Sequence, residues 1–170
     1  MNYTKEQNRA LCEKYPFLIP SNRWSGKRIN DASKGYWPGS PDSVPSWDYE
    51  YTELDGMPDG WRLAFGEKLC EELKAELEQA GYLDSYRIIQ IKEKFGTLRW
   101  YDNGNTEGGY KVLAKYEALS GYTCICCGKP ATRITAGWIA PYCSECCPSE
   151  RSIPIEDFYA EPEDEDGEAL

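Results

Sequence analysis

The chain has 170 residues, 41% of them apolar and 14% aromatic, which is enough to build a core and leave aromatic anchors over. It contains no histidine, and this excludes Ser- or Cys-based triads, HNH-type nuclease sites and His-ligated catalytic zinc. The net charge of −10 is uneven: residues 1–50 carry +1, 51–100 carry −3, 101–150 carry −1 and 151–170 carry −7, so a basic footprint for phosphates is missing and direct nucleic-acid binding is disfavoured.

Thr4 opens a first helix, with Gln7 as its capping-box partner three residues on, and Pro16 stops it after about Lys14. From 16 to 57 the chain is broken by Pro and Gly but carries Trp24, Tyr36, Trp37, Trp47, Tyr49 and Tyr51. Such a segment is costly to order unless its aromatics are pinned, and a short strand is expected near Asp48–Thr52. The strongest helix follows, from Pro58 to Gly81. Trp61, Phe65, Leu69, Leu73, Leu77 and Ala80 recur on one apolar face, while Glu67, Glu71, Lys74 and Glu78 fall opposite. Residues 86–94 and 97–102 then read as a β-hairpin joined around Gly96. A helix from about Gly109 to Leu119 presents Tyr110, Leu113, Tyr116 and Leu119. Cys12 and Cys70 lie in helical patterns and read as small core residues.

The sharpest signal is TCICCGKPATRITAGWIAPYCSECC. Cys124-x2-Cys127 and Cys143-x2-Cys146 stand fifteen residues apart. Two sulfurs at that spacing turn towards one metal, and zinc takes four thiolates in a closed tetrahedral site. Gly128 permits the tight turn after the second Cys, and ATRIT and GWIAPY supply two short strands, so the unit reads as a zinc ribbon with one structural Zn2+. Cys126 has the wrong gap, although replacement of a ligand by Cys126 or Cys147 stays open. A site closed by four thiolates leaves no position for water, so the zinc stabilises a ribbon too small to build its own core.

Asp55, Asp59, Asp102 and Glu107 lie near turns and read as capping groups rather than catalytic carboxylates. No phosphate loop, nucleophile elbow or dinucleotide fingerprint is present, and a catalytic role is not expected. The ribbon offers only Lys129 and Arg133 as cations beside Trp138 and Tyr142, and the best basic cluster elsewhere is Arg23, Lys27 and Arg28. Exposed aromatics with steering carboxylates suit protein binding better. MNYTKEQNRA has no signal-like run, and no stretch approaches the roughly 18 apolar residues of a membrane span. A cytoplasmic protein without membrane association is expected, in which eight Cys indicate metal rather than disulfides.

The segments YPFLIPSNRW, DGMPDGWRLAFGEKLCEEL, IKEKFGTLRWYDNG and CGKPA with GWIAPYCSEC resemble a family of small proteins of phages, prophages and gut bacteria. The resemblance runs to about residue 147. Within that setting the chain is similar to zinc-containing anti-CRISPR proteins that inhibit the type II-A RNA-guided effector nuclease. The resemblance implies a non-catalytic inhibitor that acts in the cytoplasm of a host bacterium, binds the nuclease and blocks target-DNA loading or cleavage. Such a nuclease holds its heteroduplex in a positively charged channel. Glu67, Glu71 and Glu78, or the acidic tail, would then supply the charge that meets it. The competing reading is a zinc-ribbon nucleic-acid-binding accessory protein of phage transcription or replication.

The expected architecture is therefore α+β: amphipathic helices packed on a small antiparallel hairpin sheet over residues 1–120, a zinc ribbon over 121–150, and an acidic, disordered tail over 151–170.

Overall fold

The computed structural model describes residues 3–22, 28, 47–148 and 151–160, and its fold is α+β with two small antiparallel sheets. Arg23, Trp24, Lys27, Tyr36, Trp37 and the end of the acidic tail lie outside the described residues.

Helix α1 spans Lys5–Lys14. The Thr4 hydroxyl accepts from the Gln7 N–H while the Gln7 side chain accepts from the Thr4 N–H, so the expected capping box is present. A 3-10 turn at Pro16–Leu18 buries Phe17 and Leu18. No strand forms at Asp48–Thr52, contrary to expectation. The rings of Trp47, Tyr49 and Tyr51 instead cluster, and the segment is tied by Trp47 Nε1 to the Tyr51 carbonyl at 3.0 Å and by Asn8 Nδ2 to the Tyr49 carbonyl at 2.8 Å. Side chains here satisfy the backbone that a strand ladder would otherwise have satisfied.

The long helical rod has three parts: α2 at Asp59–Trp61, a π turn at Arg62–Gly66, and α3 at Glu67–Gln79. Trp61, Phe65, Leu69, Leu73 and Leu77 are buried as their spacing predicts. Ala80, at the C-cap, is exposed, because the chain turns away there and Gly81 takes φ +66. The π turn carries a buried arginine that the apolar periodicity did not indicate. Arg62 Nη1 donates to Asp55 at 2.5 Å, and its guanidinium lies 3.9 Å from the Tyr3 ring centroid.

Strands β1 (Ile88–Lys94) and β2 (Thr97–Asp102) form the hairpin, with Ile91 opposite Trp100 and Lys94 opposite Thr97. Helix α4 spans Glu107–Ser120 and packs on α3 and β2. Its inner face is Gly109, Val112, Leu113, Tyr116 and Ser120, whereas Tyr110 and Leu119 are exposed. The expected face was too wide because Gly108 and Gly109 set the contact. A Cβ on Gly108 would stand 1.8 Å from Glu76 Oε2, so the absence of a side chain admits that carboxylate at the helix start.

The ribbon adds β3 (Arg133–Thr135), β4 (Pro141–Tyr142) and β5 (Ser152–Pro154) in the order β4-β3-β5. Residues 152–159, read from sequence as the start of a disordered tail, form this third strand and helix α5 (Ile155–Tyr159). The Ile155 N–H donates to the Thr132 carbonyl at 3.1 Å, and the Tyr122 and Tyr159 rings meet at 4.9 Å.

Candidate metal centre

The four cysteines sit on two short turns. In the first, the Cys124 N–H donates to the Lys129 carbonyl at 2.8 Å and the Gly128 N–H donates to the Cys124 carbonyl at 3.0 Å. Gly128 has φ +77, as such a turn requires. In the second, the N–H groups of Cys146 and Cys147 both donate to the Cys143 carbonyl, at 3.2 and 3.1 Å. The turns are joined by the Ile125 N–H donating to the Pro141 carbonyl at 2.9 Å, which places one pair of sulfurs against the other.

The sulfurs of Cys124, Cys127, Cys143 and Cys146 all lie within 4.8 Å of one another, and Cys127 Sγ is 3.6 Å from Cys143 Sγ. Four thiolates about 2.3 Å from a tetrahedral ion such as zinc stand about 3.8 Å apart, so the cluster fits a metal. The electrostatics agree. Burial pushes the Cys124 thiol up, but backbone N–H groups of Cys143, Cys127 and Cys126 directed at its sulfur outweigh burial and bring it to about 7. Cys146 is pushed far the other way by hydrogen bonds to Cys127 and Cys143. Four sulfurs this close cannot all hold negative charge without a cation among them.

Cys126 and Cys147 do not join the cluster. Cys126 is exposed, and burial followed by the charges of Cys124 and Cys127 raises its thiol. Cys12 and Cys70 are buried far from it in sequence, and burial pushes Cys12 up to about 12, which suits inert core thiols.

The centre is docked onto the body through its first turn. Gly60 N–H donates to the Ile125 carbonyl at 2.9 Å and Trp61 Nε1 donates to the Thr123 carbonyl at 2.8 Å. A Cβ on Gly60 would stand 2.2 Å from the Cys124 carbonyl oxygen, and one on Gly128 would stand 2.6 Å from the Gly60 carbonyl oxygen. Two glycines therefore face each other so that backbone can meet backbone. Gly60 was missed in sequence; a glycine in the first turn of a strong helix was the available signal.

No family model, curated protein or solved structure matches the chain.

The candidate partner-binding carboxylates are placed elsewhere. Glu67 and Glu71 share Lys14, at 3.0 and 2.9 Å, and Glu71 also accepts from the Tyr15 hydroxyl at 2.7 Å. Glu78 pairs with Lys74 at 3.5 Å, further along α3. All three are exposed, but each already faces a lysine. The turn carboxylates have local partners as well. Asp55 holds Arg62 and the Thr52 N–H, Asp102 accepts from Tyr86, Gly104 and Asn105, and Glu107 pairs with Lys111. Among the described residues no helix is long and apolar enough to cross a membrane.

Proposed function

We propose that the chain is a non-catalytic binding protein whose Cys124, Cys127, Cys143 and Cys146 hold one structural zinc ion, and whose partner is a protein. The observation that carries this reading is the closed four-sulfur cluster. With all four sulfurs within 4.8 Å, a tetrahedral ion bound among them keeps no position for a substrate or an activated water. Thiolates select zinc over the hard cations, and a closed site holds a fold rather than turning over substrate.

Support for a protein partner comes from the exposed aromatics set on this scaffold, Phe95, Tyr101, Tyr110, Tyr122 and Trp138, in a chain of net charge −10. The sequence resemblance points to the type II-A RNA-guided effector nuclease as that partner, bound in the cytoplasm of a host bacterium so that target DNA cannot load or be cut.

Elemental analysis of protein made in zinc-replete cells is expected to give one zinc per chain. Pull-down with the purified nuclease, with and without guide RNA, is expected to retain the nuclease and to block its cutting of target DNA. A tight gel shift with bare duplex DNA at physiological salt, without nuclease retention, would replace this reading with that of a nucleic-acid-binding ribbon.

A further inference from the structure

The β1–β2 hairpin closes through two residues, Phe95 and Gly96, between the paired Lys94 and Thr97. Both take positive φ, +54 and +80, as a type I′ turn requires. Asn or Gly enters the left-handed region readily, whereas a bulky aromatic is strained there. Phe95 recovers nothing by burial, since it is 67% exposed. An exposed ring is thus held at one of the two turn positions where its residue type is least at ease, and strain kept without a gain from burial points to function.

A second ring stands beside it. Gly96 packs against Ile139, with a Cβ there only 3.1 Å from Ile139 Cγ2, so the hairpin tip meets the ribbon's own turn. That turn carries Trp138, 74% exposed. Phe95 and Trp138 flank a cleft of about 240 Å³ floored by Gly137 and Ile139. A second cleft of about 260 Å³, lined by Ile134, Ile153 and Phe158, shares Gly137 and Ile139 with the first. The first cleft needs both the hairpin tip and the ribbon turn, whereas the second is lined by the ribbon alone.

The rim has a definite charge. Glu93 is committed to the Gly96 N–H at 2.7 Å. Lys94 lies 5.1 Å from the Phe95 ring centroid and has no carboxylate partner among the described residues. Lys5, Lys14, Lys74, Lys111, Lys115 and Lys129 are each paired with an acid, whereas Lys94, like Lys68 and Lys92, has no such pair among the described residues. The rim thus holds one acid and one lysine, and of the two Lys94 is the group whose side chain no hydrogen bond or ion pair among the described residues commits.

We propose that this cleft is the docking surface for the protein partner, and that it takes an apolar partner side chain flanked by a carboxylate that meets Lys94. The proposal rests on the partner-binding reading above and moves the surface away from Glu67, Glu71 and Glu78, which already pair with Lys14 and Lys74. A nucleic acid fits less well. The floor offers aliphatic carbons rather than polar groups for base edges, and a lone lysine is no track for phosphates in a chain of this charge.

The test uses the zinc-loaded full chain and a displayed library of random 12-residue peptides, with a dT20 oligonucleotide as the nucleic-acid probe. Selected peptides are expected to carry an aromatic or aliphatic residue beside Asp or Glu, and to lose at least tenfold in affinity against Trp138→Ala and Phe95→Asn. Phe95→Asn creates the favoured Asn-Gly turn, so its melting temperature is expected to rise by about 2–4 °C while binding falls. A triple Glu67→Gln, Glu71→Gln, Glu78→Gln variant keeps wild-type affinity. The proposal is overturned if no peptide is selected, if the peptides bind both aromatic variants as well as wild type, if Phe95→Asn melts lower, or if dT20 binds in a Trp138-dependent way. The same variants assayed against the effector nuclease separate the two readings. Failure of the wild type to retain nuclease removes that partner, whereas only the peptide results decide the surface.

Discussion

The body and the ribbon solve one problem in opposite ways. The body buries large side chains in a continuous cluster that runs from Cys12 and Phe17 through Trp61, Leu69, Leu73 and Leu77 to Tyr86, Leu98 and Tyr116. Among the described residues the ribbon contributes only the partly buried Ile125 to that cluster, and its own buried apolar set is Cys124, Ala131, Ile134, Ala140, Cys143 and Ile155. Two of those six are candidate metal ligands and two are alanines. Burial on that scale cannot offset the ordering of some forty residues, whereas a structural zinc contributes on the order of 10 kcal/mol. One region is held by apolar area and the other gathers four sulfurs that fit a metal, and they meet through the Gly60 N–H on the Ile125 carbonyl and the close backbone approach of Gly60 and Gly128.

Metal removal should break this comparison most visibly. With chelator, or in Cys127→Ser, amide exchange is expected to lose protection over residues 122–159 while 59–120 keep theirs and the body retains its own thermal transition. Simultaneous loss of both regions would show that the body leans on the ribbon more than its core cluster suggests.

Gly60→Ala comes next. In an isolated helix Ala would stabilise by about 1 kcal/mol. Here its Cβ would fall 2.2 Å from the Cys124 carbonyl oxygen and 2.6 Å from the Ile125 carbonyl carbon, both backbone atoms that cannot yield cheaply. A net loss of about 2–3 kcal/mol in urea unfolding is expected, with weaker metal retention as its companion. A gain would mean that the close approach is dispensable.

Trp61→Phe keeps most of the apolar burial and removes the indole donor that holds the Thr123 carbonyl at 2.8 Å. The carbonyl is left without its partner at the junction, and a loss of about 1–2 kcal/mol is expected. Paired with Gly60→Ala in a double-mutant cycle, the two changes should couple, because both act on the turn from Thr123 to Ile125.

How much of this was legible beforehand follows from the range of each interaction. The four-sulfur cluster could be read from spacing because two-residue gaps act locally, and the helix of Trp61–Leu77 could be read because its period repeats for many turns. The Asp48–Thr52 strand was misread because the Trp47 indole within the segment and the Asn8 amide, distant in sequence, satisfy that backbone. The outer positions of α4 were misread because contact is set by Gly108 against Glu76 and by Gly109 against Asn105, a packing fact with no periodic trace. The third ribbon strand was hidden because Ser152–Pro154 is short and borders an acidic run. The Phe95-Gly96 pair was visible as letters, but its strain appears only once φ is known.

The smallest expected effect lies on the body's side and concerns charge. Glu72 accepts from Lys115 at 2.6 Å and from the Tyr116 hydroxyl at 3.0 Å, linking α3 to α4. The lysine first, and then the hydroxyl, hold its carboxyl below the ordinary value of 4.5. A carboxyl lowered in the folded state contributes stability that is complete above its unfolded value and fades as pH falls through the folded one. Glu72→Gln should therefore leave the pH 3 stability of the body nearly unchanged and lower it at pH 7 by about 0.5 kcal/mol, because the pair is partly solvated. Urea unfolding of the α3–α4 region at the two pH values measures this difference. Equal losses at both would mean that Glu72 acts by packing rather than by charge, and that the body is held at this contact, as in its core, by shape.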